Sequence, residues 1–502
     1  MSKPPSVAGR ALMAVGLMVG FYLLAAAIVA VLFYLPYAEY VYLHRLHLKI
    51  ALLCVVGGIV IAWAVLPRVD RFEAPGPRLT AESQPRLFEQ LNQVAHATGQ
   101  EMPAEVYAVG DINAWVAQRG GLMGFGSRRV MGLGLPLLQQ LTVSQFRAVL
   151  AHEFGHYFGG DTRLGPWVYK TRAAIGRTVQ SLTDTGGGGS LLQIPFALYG
   201  RMFMRVTQSV SRQQEFSADA LAARTVGARP LIEGLRVVHQ TAPAFSAYWQ
   251  HEVMPVIAAG YQPPVNEGFQ RFTGSPKVVD AMAEGLAKEL SEGTSDPFDS
   301  HPALRERIAA LEQLPAGEIP ANDPTAISLL DGAAEVESEL LRQALSGVSG
   351  DFKQVAWEAV GESVYVPQWT KIVNANRDAL AGLTLSGLPE LARDPARLAS
   401  RLKSPDGDPV PPDAAEGASG YVVSAAITLA LQRKGWELEA LPGTPVHMRH
   451  AGETLQPFSI WEELRTGKRT AEEWRDMLAR FGLSEVSLDG IGAIDPGPVA
   501  GV

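Results

Sequence analysis

An uninterrupted run of apolar residues near the start of the chain limits the folds that are open to it. Residues 11–36 contain no charged side chain, and as a helix they are long enough to cross the roughly 30 Å hydrocarbon core of a bilayer. A second uncharged run covers residues 50–66, at the short end of the spanning range. We therefore predict a membrane anchor over residues 1–70, built as a hairpin of two transmembrane helices.

A cleaved signal peptide is the alternative interpretation of the first run. The run is longer than the usual apolar part of a signal peptide and a second run follows it, so the anchor is favoured. Because Lys and Arg collect on the cytoplasmic side of a membrane, the flanking charges predict the orientation. The side of the main body carries Lys3, Arg10, Arg68, Arg71 and Arg78, and the loop between the runs carries Arg45 and Lys49. We expect an integral protein of the inner or plasma membrane with its main body in the cytoplasm.

Charge and cysteine content exclude several classes of function. The 502 residues carry 43 Lys and Arg against 51 Asp and Glu, a net charge of −8, and no long basic run follows along the chain. Nucleic acid is therefore not an expected partner. Cys54 is the single cysteine, which rules out an intramolecular disulfide and a zinc site built from cysteines.

The patterning beyond the anchor predicts a mainly α fold with a small β-sheet. Apolar residues at helical spacing predict a helix over residues 84–98, and short segments rich in Val, Tyr and Trp between residues 104 and 135 predict the sheet. Thr142 and Gln145 form a capping box that starts the next helix. After a glycine-rich break at residues 183–190, we expect one long helix that ends at Gly227.

The string His152, Glu153, Phe154, Gly155, His156 lies on the helix that begins after Thr142. Histidines four residues apart share one face of a helix, so both imidazoles can reach one Zn²⁺ while the adjacent glutamate reaches water at the ion. The pattern therefore predicts one zinc ion per chain.

A catalytic zinc needs a third protein ligand and one open position. The HExxHxxGxxH arrangement fits Gly159, but Thr162 occupies the ligand position. The other arrangement takes a glutamate from a later helix, and Glu215 qualifies. Asp219 lies one turn further on the same face, where it can accept the free ring N–H of a ligand histidine.

Four motifs in this order resemble the HtpX-like and CAAX prenyl protease family of membrane zinc endopeptidases, which are gluzincins. They are AVLAHEFGHY, SRQQEFSADALAAR some sixty residues later, the pair Asn113 and Ala114 before a predicted strand, and SHPALRERIAAL at residues 300–311. The resemblance covers about residues 75–314. It implies a zincin-type metallopeptidase domain that hydrolyses peptide bonds, with exposed or misfolded segments of membrane proteins as substrates.

The resemblance also implies a role for each matching residue. The zinc ligands would be His152, His156 and Glu215, and Glu153 would be the base. Asp219 would orient a ligand histidine, and Asn113 would bind the substrate backbone. His301 and Arg307 would lie near the developing oxyanion. The two predicted spans are fewer than those of the relatives, which argues against a prenylated substrate.

The predicted domains follow from these motifs and from composition. After the anchor we expect the metallopeptidase domain at residues 71–318, a helical extension at 319–402, a linker at 403–420, and a small α+β module with a loose tail at 421–502. Besides the bilayer, the expected partners are polypeptide substrates. The sequence does not indicate an oligomeric state.

Two other functions are compatible with parts of this pattern. The first is a catalytically silent membrane scaffold that keeps the peptidase fold and binds partners through residues 320–502; the intact Glu153 disfavours it, because a silent descendant has no chemical need of that residue. The second is a metal-dependent hydrolase of something other than a peptide, which HExxH alone does not exclude and the four motifs together disfavour.

Overall fold

The computed structural model describes residues 7–66, 72–121, 126–157, 165–184, 189–293, 301–347, 351–404, 407–411 and 413–489. Lys3, Arg68, Arg71 and the predicted tail lie outside these residues. The helices are α1 (Val7–Leu43), α2 (Leu48–Val65), α3 (Pro85–Thr98), α4 (Leu135–Gln140), α5 (Val143–Gly155), α6 (Gly165–Asp184), α7 (Gly189–Thr225), α8 (Ala228–Tyr248), α9 (Met254–Ala258), α10 (Val265–Gly274), α11 (Pro276–Glu292), α12 (Leu304–Leu311), α13 (Ala333–Ala344), α14 (Trp357–Val360), α15 (Val366–Ala375), α16 (Arg377–Leu380), α17 (Leu388–Arg393), α18 (Ala396–Ala399), α19 (Ala415–Arg433), α20 (Pro457–Arg465) and α21 (Ala471–Arg480).

The strands are short and few, so the described chain is mainly helical with small sheets, as predicted. They are β1 (Arg78–Leu79), β2 (Glu105–Val109), β3 (Ala114–Arg119), β4 (Arg128–Gly134), β5 (Tyr261–Gln262), β6 (Lys353–Gln354), β7 (Glu437–Glu439), β8 (His447–His450) and β9 (Glu453–Leu455). The chain divides into two compact units. Unit 1 comprises Met1–Ala242 and Met282–Gly347, and unit 2 comprises Pro243–Ala281 and Val348–Val502.

The two apolar runs of unit 1 form the predicted pair of helices. Within the described residues, α1 and α2 are the helices long and apolar enough to cross a membrane. The first is longer than predicted, since it continues through Pro36 to Leu43. The two helices approach closely where α2 carries glycine: a Cβ at Gly58 would lie 3.1 Å from the ring of Phe33.

Helix α6, which the sequence did not predict, packs against α1 and α2. Helix α6 and the first half of α7 share one buried apolar cluster with α1 and α2, to which α7 contributes Phe196 and Phe203. The Tyr199 hydroxyl donates a hydrogen bond of 2.6 Å to the Leu17 carbonyl of α1. The first half of α7 is therefore packed against the two apolar helices along its length.

The main sheet of unit 1 has the strand order β1-β2-β4-β3. The predicted strands correspond to β2, β3 and β4, and the two-residue strand β1 is added at one edge. β2 runs parallel to β4, whereas β3 pairs antiparallel with β4, with Ala114 opposite Leu133. β3 is thus an edge strand, and it begins directly after Asn113.

Local signals place the helix ends in this unit. The predicted capping box is present at the start of α5, where Thr142 and Gln145 exchange hydrogen bonds. Gly99 follows α3 with φ 66°, the left-handed conformation that glycine adopts most readily at a helix end. Within the predicted helical extension, α13 begins only at Ala333, because residues Ala326–Leu329 form a 3₁₀ turn and Gly332 has φ 64°.

Unit 2 has its own apolar core around α19. The core joins residues between Val366 and Leu488, and the three-stranded sheet β7-β8-β9 packs at its side through Met448 and Leu455. Helix α19 begins at Ala415, inside the segment 403–420 that the sequence predicts as a linker. The first turns of α19 are rich in Ala, Gly and Ser, which carry no apolar periodicity, although Ser419 is fully buried.

Candidate metal centre

Helix α5 presents two histidines on one face at its C-terminal end. His152 lies in its last turn and is buried, and His156 caps the helix with an αR backbone. The centroids of the two rings are 4.8 Å apart, with the ring planes at 80°. The four-residue spacing therefore gives the common face that the sequence predicts.

A close approach of α7 to α5 brings the third acidic ligand to this face. A Cβ added at Gly155 would lie 2.8 Å from the Ala218 Cα and 3.0 Å from its Cβ, distances that packed atoms do not tolerate. Gly155 and Ala218 therefore let the two helix backbones come together. Glu215 precedes Ala218 by almost one turn of α7, so this contact fixes its position opposite the histidines.

The atoms of His152, His156 and Glu215 are arranged as the ligands of one ion. Candidate ligand atoms of the three residues all lie within 4.8 Å of one another. The Nε2 atom of His152 is 3.4 Å from Glu215 Oε2, and Nε2 of His156 is 3.7 Å from Glu215 Oε1. Ligands about 2.0–2.1 Å from a tetrahedral zinc are separated by about 3.3 Å, close to the shorter of these distances.

The hydrogen bonding of Glu215 also fits a metal. Its Oε2 atom is buried and has no hydrogen-bond partner among the described residues. His152 Nε2 and Arg307 Nη1 approach this oxygen at 3.4 and 3.6 Å without forming a hydrogen bond, so an ion bound at the histidines would satisfy it. The residues present therefore fit a zinc ion held by two imidazoles and one carboxylate, with a fourth position left open.

Asp219 connects the first histidine to an arginine. Its Oδ1 atom lies 2.9 Å from His152 Nδ1, which fixes which ring nitrogen faces the metal position. The guanidinium of Arg307 on α12 donates to both carboxylate oxygens, with Nε to Oδ2 at 2.8 Å and Nη2 to Oδ1 at 2.6 Å. All three side chains are buried.

Arg307 and His301, which the family resemblance places near the developing oxyanion, differ in how far their side chains are exposed to solvent. Arg307 is 4% exposed, and its Nη1 is 3.6 Å from Glu215 Oε2. His301 has 59% of its side chain exposed, and its Nδ1 is 3.2 Å from Glu215 Oε1. The ring of His301 is therefore accessible to a substrate, whereas Arg307 lines the same cavity but is almost fully buried.

The side-chain pKa values in this cluster are set by burial and by ion pairs. Burial lowers the pKa of His152, but interactions with the carboxylates of Asp219 and Glu215 overcome this effect and raise it to about 9. Burial, with the charge of His152, lowers the pKa of His156 to about 4. Burial opposes ionisation of Glu215, yet its interactions with the rings of His152 and His301 hold its pKa below the ordinary range.

Glu153 lies beside the ligands without being one of them. It lines a cavity together with His152, His301 and Asn113. Burial raises the pKa of Glu153 to about 7. A carboxyl group whose pKa is near neutrality can both accept and return a proton.

The cavity next to Glu153 has a volume of about 520 Å³ and a largely aliphatic wall. Aliphatic side chains from several elements line it: Leu137, Val149, Leu231, Leu235, Val238 and Leu304. His239 and Glu289 also line it and form an ion pair of 2.7 Å. No local pattern in the sequence predicts this wall, because its residues come from helices that are distant along the chain.

The structure brings together all of the residues that the sequence singled out. His152, His156 and Glu215 form the candidate ligand set, Asp219 contacts His152, and Glu153, His301 and Asn113 face one cavity. What the sequence did not predict is that Arg307 is paired with Asp219. It also did not predict the hydrogen bond from the Tyr157 hydroxyl to the Val116 carbonyl of β3, at 2.9 Å.

Comparison with known proteins agrees with this site. The family model for peptidase family M48 matches residues 81–314. Protease HtpX of Idiomarina loihiensis is 28% identical over 46% of this chain and 73% of its own length. Protease HtpX of Xanthomonas oryzae pv. oryzae is 27% identical over 45% and 70%, and Protease HtpX of Klebsiella pneumoniae is 26% identical over 53% and 86%. No solved structure matches the chain.

The matched segment contains every residue of the centre, from Asn113 to Arg307, and it excludes the two apolar helices and the part of unit 2 from Val348 onward. The family predicted from the four motifs is thereby confirmed. The match of residues 81–314 to the family model and the similarity to several HtpX proteases support an HtpX-like membership in peptidase family M48.

Proposed function

We propose that this chain is a membrane-anchored zinc endopeptidase whose peptidase domain comprises residues 71–318. The observation that carries the proposal is the joint geometry of His152, His156 and Glu215, with Glu153 beside them at the mouth of a cavity. An isolated pair of histidines would serve a structural role equally well. A half-buried glutamate that faces the same open position has a use in hydrolysis.

Zinc held by these three residues would supply a Lewis acid that polarises the peptide carbonyl and makes water more acidic. The protein supplies the rest. Glu153 accepts the proton of the attacking water and returns it to the departing amine. Asp219, held by Arg307, keeps the Nδ1–H of His152 directed away from the metal position. His301, exposed at the same opening, donates to the oxyanion as it forms.

Substrate binding is proposed to use Asn113 and the cavity. Asn113 is exposed at the start of edge strand β3 and lines the cavity with Glu153, so its side-chain amide can hydrogen-bond the substrate backbone. The aliphatic wall formed by Leu231, Leu235 and their neighbours fits a bulky apolar side chain next to the scissile bond. Such side chains are buried in folded proteins and become accessible in unfolded ones.

The position of the centre on α7 supports substrates near a membrane. The same helix packs against the apolar helices through Phe203 and carries Glu215 twelve residues later, about 18 Å further along the axis at 1.5 Å per residue. We infer that the chain cleaves exposed or misfolded segments of membrane proteins in quality control. The larger number of basic residues flanking the apolar runs on the side of the main body supports a cytoplasmic location for the peptidase domain.

The experiment uses the full chain purified in detergent. Zinc content and cleavage of unfolded casein are measured for the wild type and for Glu153→Gln, which removes the base and leaves all three ligands. We expect both proteins to hold about one zinc and only the wild type to cleave. If both hold zinc and neither cleaves casein or an unfolded membrane protein, the endopeptidase assignment is wrong and a silent scaffold is favoured.

A further inference from the structure

Among the described residues, β3 is an edge strand next to the metal centre, and its free edge is blocked at Val116. In an antiparallel pair, alternate residues direct both backbone groups toward the partner strand. The Gly134 N–H donates to the Asn113 carbonyl at 2.9 Å, so Asn113 and Trp115 face β4. The backbone groups of Ala114 and Val116 consequently point to the other side, where a substrate strand would add.

The hydroxyl of Tyr157 lies on this open side. It donates a hydrogen bond of 2.9 Å to the Val116 carbonyl. An added strand would place its own N–H about 2.9 Å from that oxygen, so the hydroxyl occupies the position of the incoming donor. Ala114, two residues earlier, is the nearer of the two to the cavity, which it lines together with Glu153.

Tyr157 is held in this position from the side of the sheet. The guanidinium of Arg129 lies 4.2 Å from the centroid of its ring, a cation–π contact. Arg129 is itself fixed by a hydrogen bond of 3.0 Å to the Glu101 carbonyl. The Tyr157 backbone N–H donates to the Phe154 carbonyl of α5 at 3.0 Å. Displacing the phenol would therefore break several contacts at once.

We propose that Tyr157 ends the pairing of substrate with β3, so that a substrate pairs with Ala114 and leaves the strand before Val116. The inference rests on the proposed peptidase function and adds a specificity-determining residue to it. The main chain of the substrate then needs to be extended over only a few residues around the scissile bond. An enzyme of this kind accepts short exposed segments and gains nothing from a longer extended one.

The test measures peptide binding, so its readout does not depend on turnover by the variant under study. Glu153→Gln in the full chain is the background, and the probes are fluorescent peptides centred on one bond that the wild type cleaves in casein. The peptides are lengthened one residue at a time from each end, and Kd is measured by anisotropy. We expect the affinity to rise and then reach a plateau at the residue opposite Ala114, with less than a twofold gain beyond it.

Two substitutions of Tyr157 then remove the groups that are proposed to end the pairing of substrate with β3. Tyr157→Ala should move the plateau by two residues and increase the affinity of the longer peptides about fivefold, the value of one hydrogen bond of about 1 kcal/mol. Tyr157→Phe tells the hydroxyl from the ring, since it keeps the ring contact with Arg129. Tyr107→Phe is the matched control, because Tyr107 donates to Glu105 at 2.9 Å within the same sheet and away from the open edge; it should leave the plateau unchanged.

Each outcome separates this inference from the proposed function. A plateau that stays in place in both Tyr157 variants, while zinc content is unchanged, overturns the stop and leaves the peptidase assignment intact. Affinity that rises steadily with length in the unaltered background overturns it as well. A wild type that neither cleaves casein nor binds any peptide overturns both.

Discussion

Arg307 and Asp219 form a bidentate ion pair next to the candidate metal centre, with hydrogen bonds of 2.8 and 2.6 Å. Both side chains are buried, at 4% and 2% exposure. Asp219 also accepts from His152, so the guanidinium orients a histidine ligand through one intervening carboxylate. The ion pair thus links α12 to the helices that carry the ligands.

The contacts from Arg307 through Asp219 to His152 predict how substitutions of Arg307 and Asp219 combine. Arg307→Met should destabilise the protein by about 3 kcal/mol or more, because it leaves a buried carboxylate without its cation. Asp219→Asn should weaken zinc binding about 10 to 100-fold. The double variant should recover part of the stability lost in Arg307→Met, since no uncompensated charge remains. Thermal unfolding and zinc titration measure both quantities, and strictly additive losses would show that the residues do not act together.

The contact of Gly155 with Ala218 predicts a strong effect from a single methyl group. Gly155→Ala should push α5 and α7 apart and cost about 1–3 kcal/mol by overpacking, with weaker zinc binding as the ligands separate. Gly176→Ala is the matched control, because a Cβ at that helical glycine has nothing within 4 Å. The control should be neutral or slightly stabilising. Equal zinc affinity in both variants would contradict the importance of the close approach.

The aliphatic cavity predicts a change in cleavage preference. Leu235→Phe makes the cavity that Leu235 lines together with Glu153 smaller. It should reduce kcat/KM about tenfold or more for peptides with a bulky apolar residue next to the scissile bond. Peptides with alanine there should be cleaved as before. Mass spectrometry of a digested peptide library reports both groups together. A uniform loss across all peptides would indicate damage to the centre rather than a smaller pocket.

Ionisation of one partly buried carboxyl group in unit 2, that of Glu252, is expected to lower the stability of the folded protein. Burial raises the pKa of Glu252 above its ordinary value, although the Gly443 N–H donates to it at 3.1 Å. The unfolded chain therefore loses this proton first, and the contribution of Glu252 becomes less favourable as pH rises from the ordinary carboxyl pKa to the raised one. Glu252→Gln keeps an acceptor for Gly443 without the charge.

The difference in melting temperature between Glu252→Gln and the wild type should accordingly grow in favour of the variant as pH increases through that range. Taking the difference cancels the other groups that titrate there. If this difference in melting temperature does not change with pH, or becomes smaller, burial does not raise the pKa of Glu252.

Spacing along the chain was sufficient to predict which side chains of the metal centre share a helix face. His152 and His156 share a face because they are four residues apart, and Glu215 and Asp219 share another for the same reason. The pairing of Arg307 with Asp219 joins residues 88 positions apart, and no periodicity reports such a distance. Its alternative placement near an oxyanion came from family resemblance alone.

Helix α6 was not predicted, and its composition explains why. Lys170, Arg172 and Arg177 interrupt its apolar residues, so no clean stripe is visible in the sequence. In the structure it packs beside the apolar helices through Ala174, Ile175 and Leu182. The neighbours that cover this face become apparent only when α1, α2 and α7 are in place.

The coordination of the metal gives the most direct test of the central claim. Zinc K-edge X-ray absorption on the full chain, with zinc content measured in parallel, is expected to show two imidazole nitrogens at about 2.0–2.1 Å and carboxylate oxygen at about 2.0–2.2 Å. Glu215→Ala should lose most of its zinc. Full zinc occupancy in Glu215→Ala with an unchanged spectrum would contradict the assignment of His152, His156 and Glu215 as the ligand set.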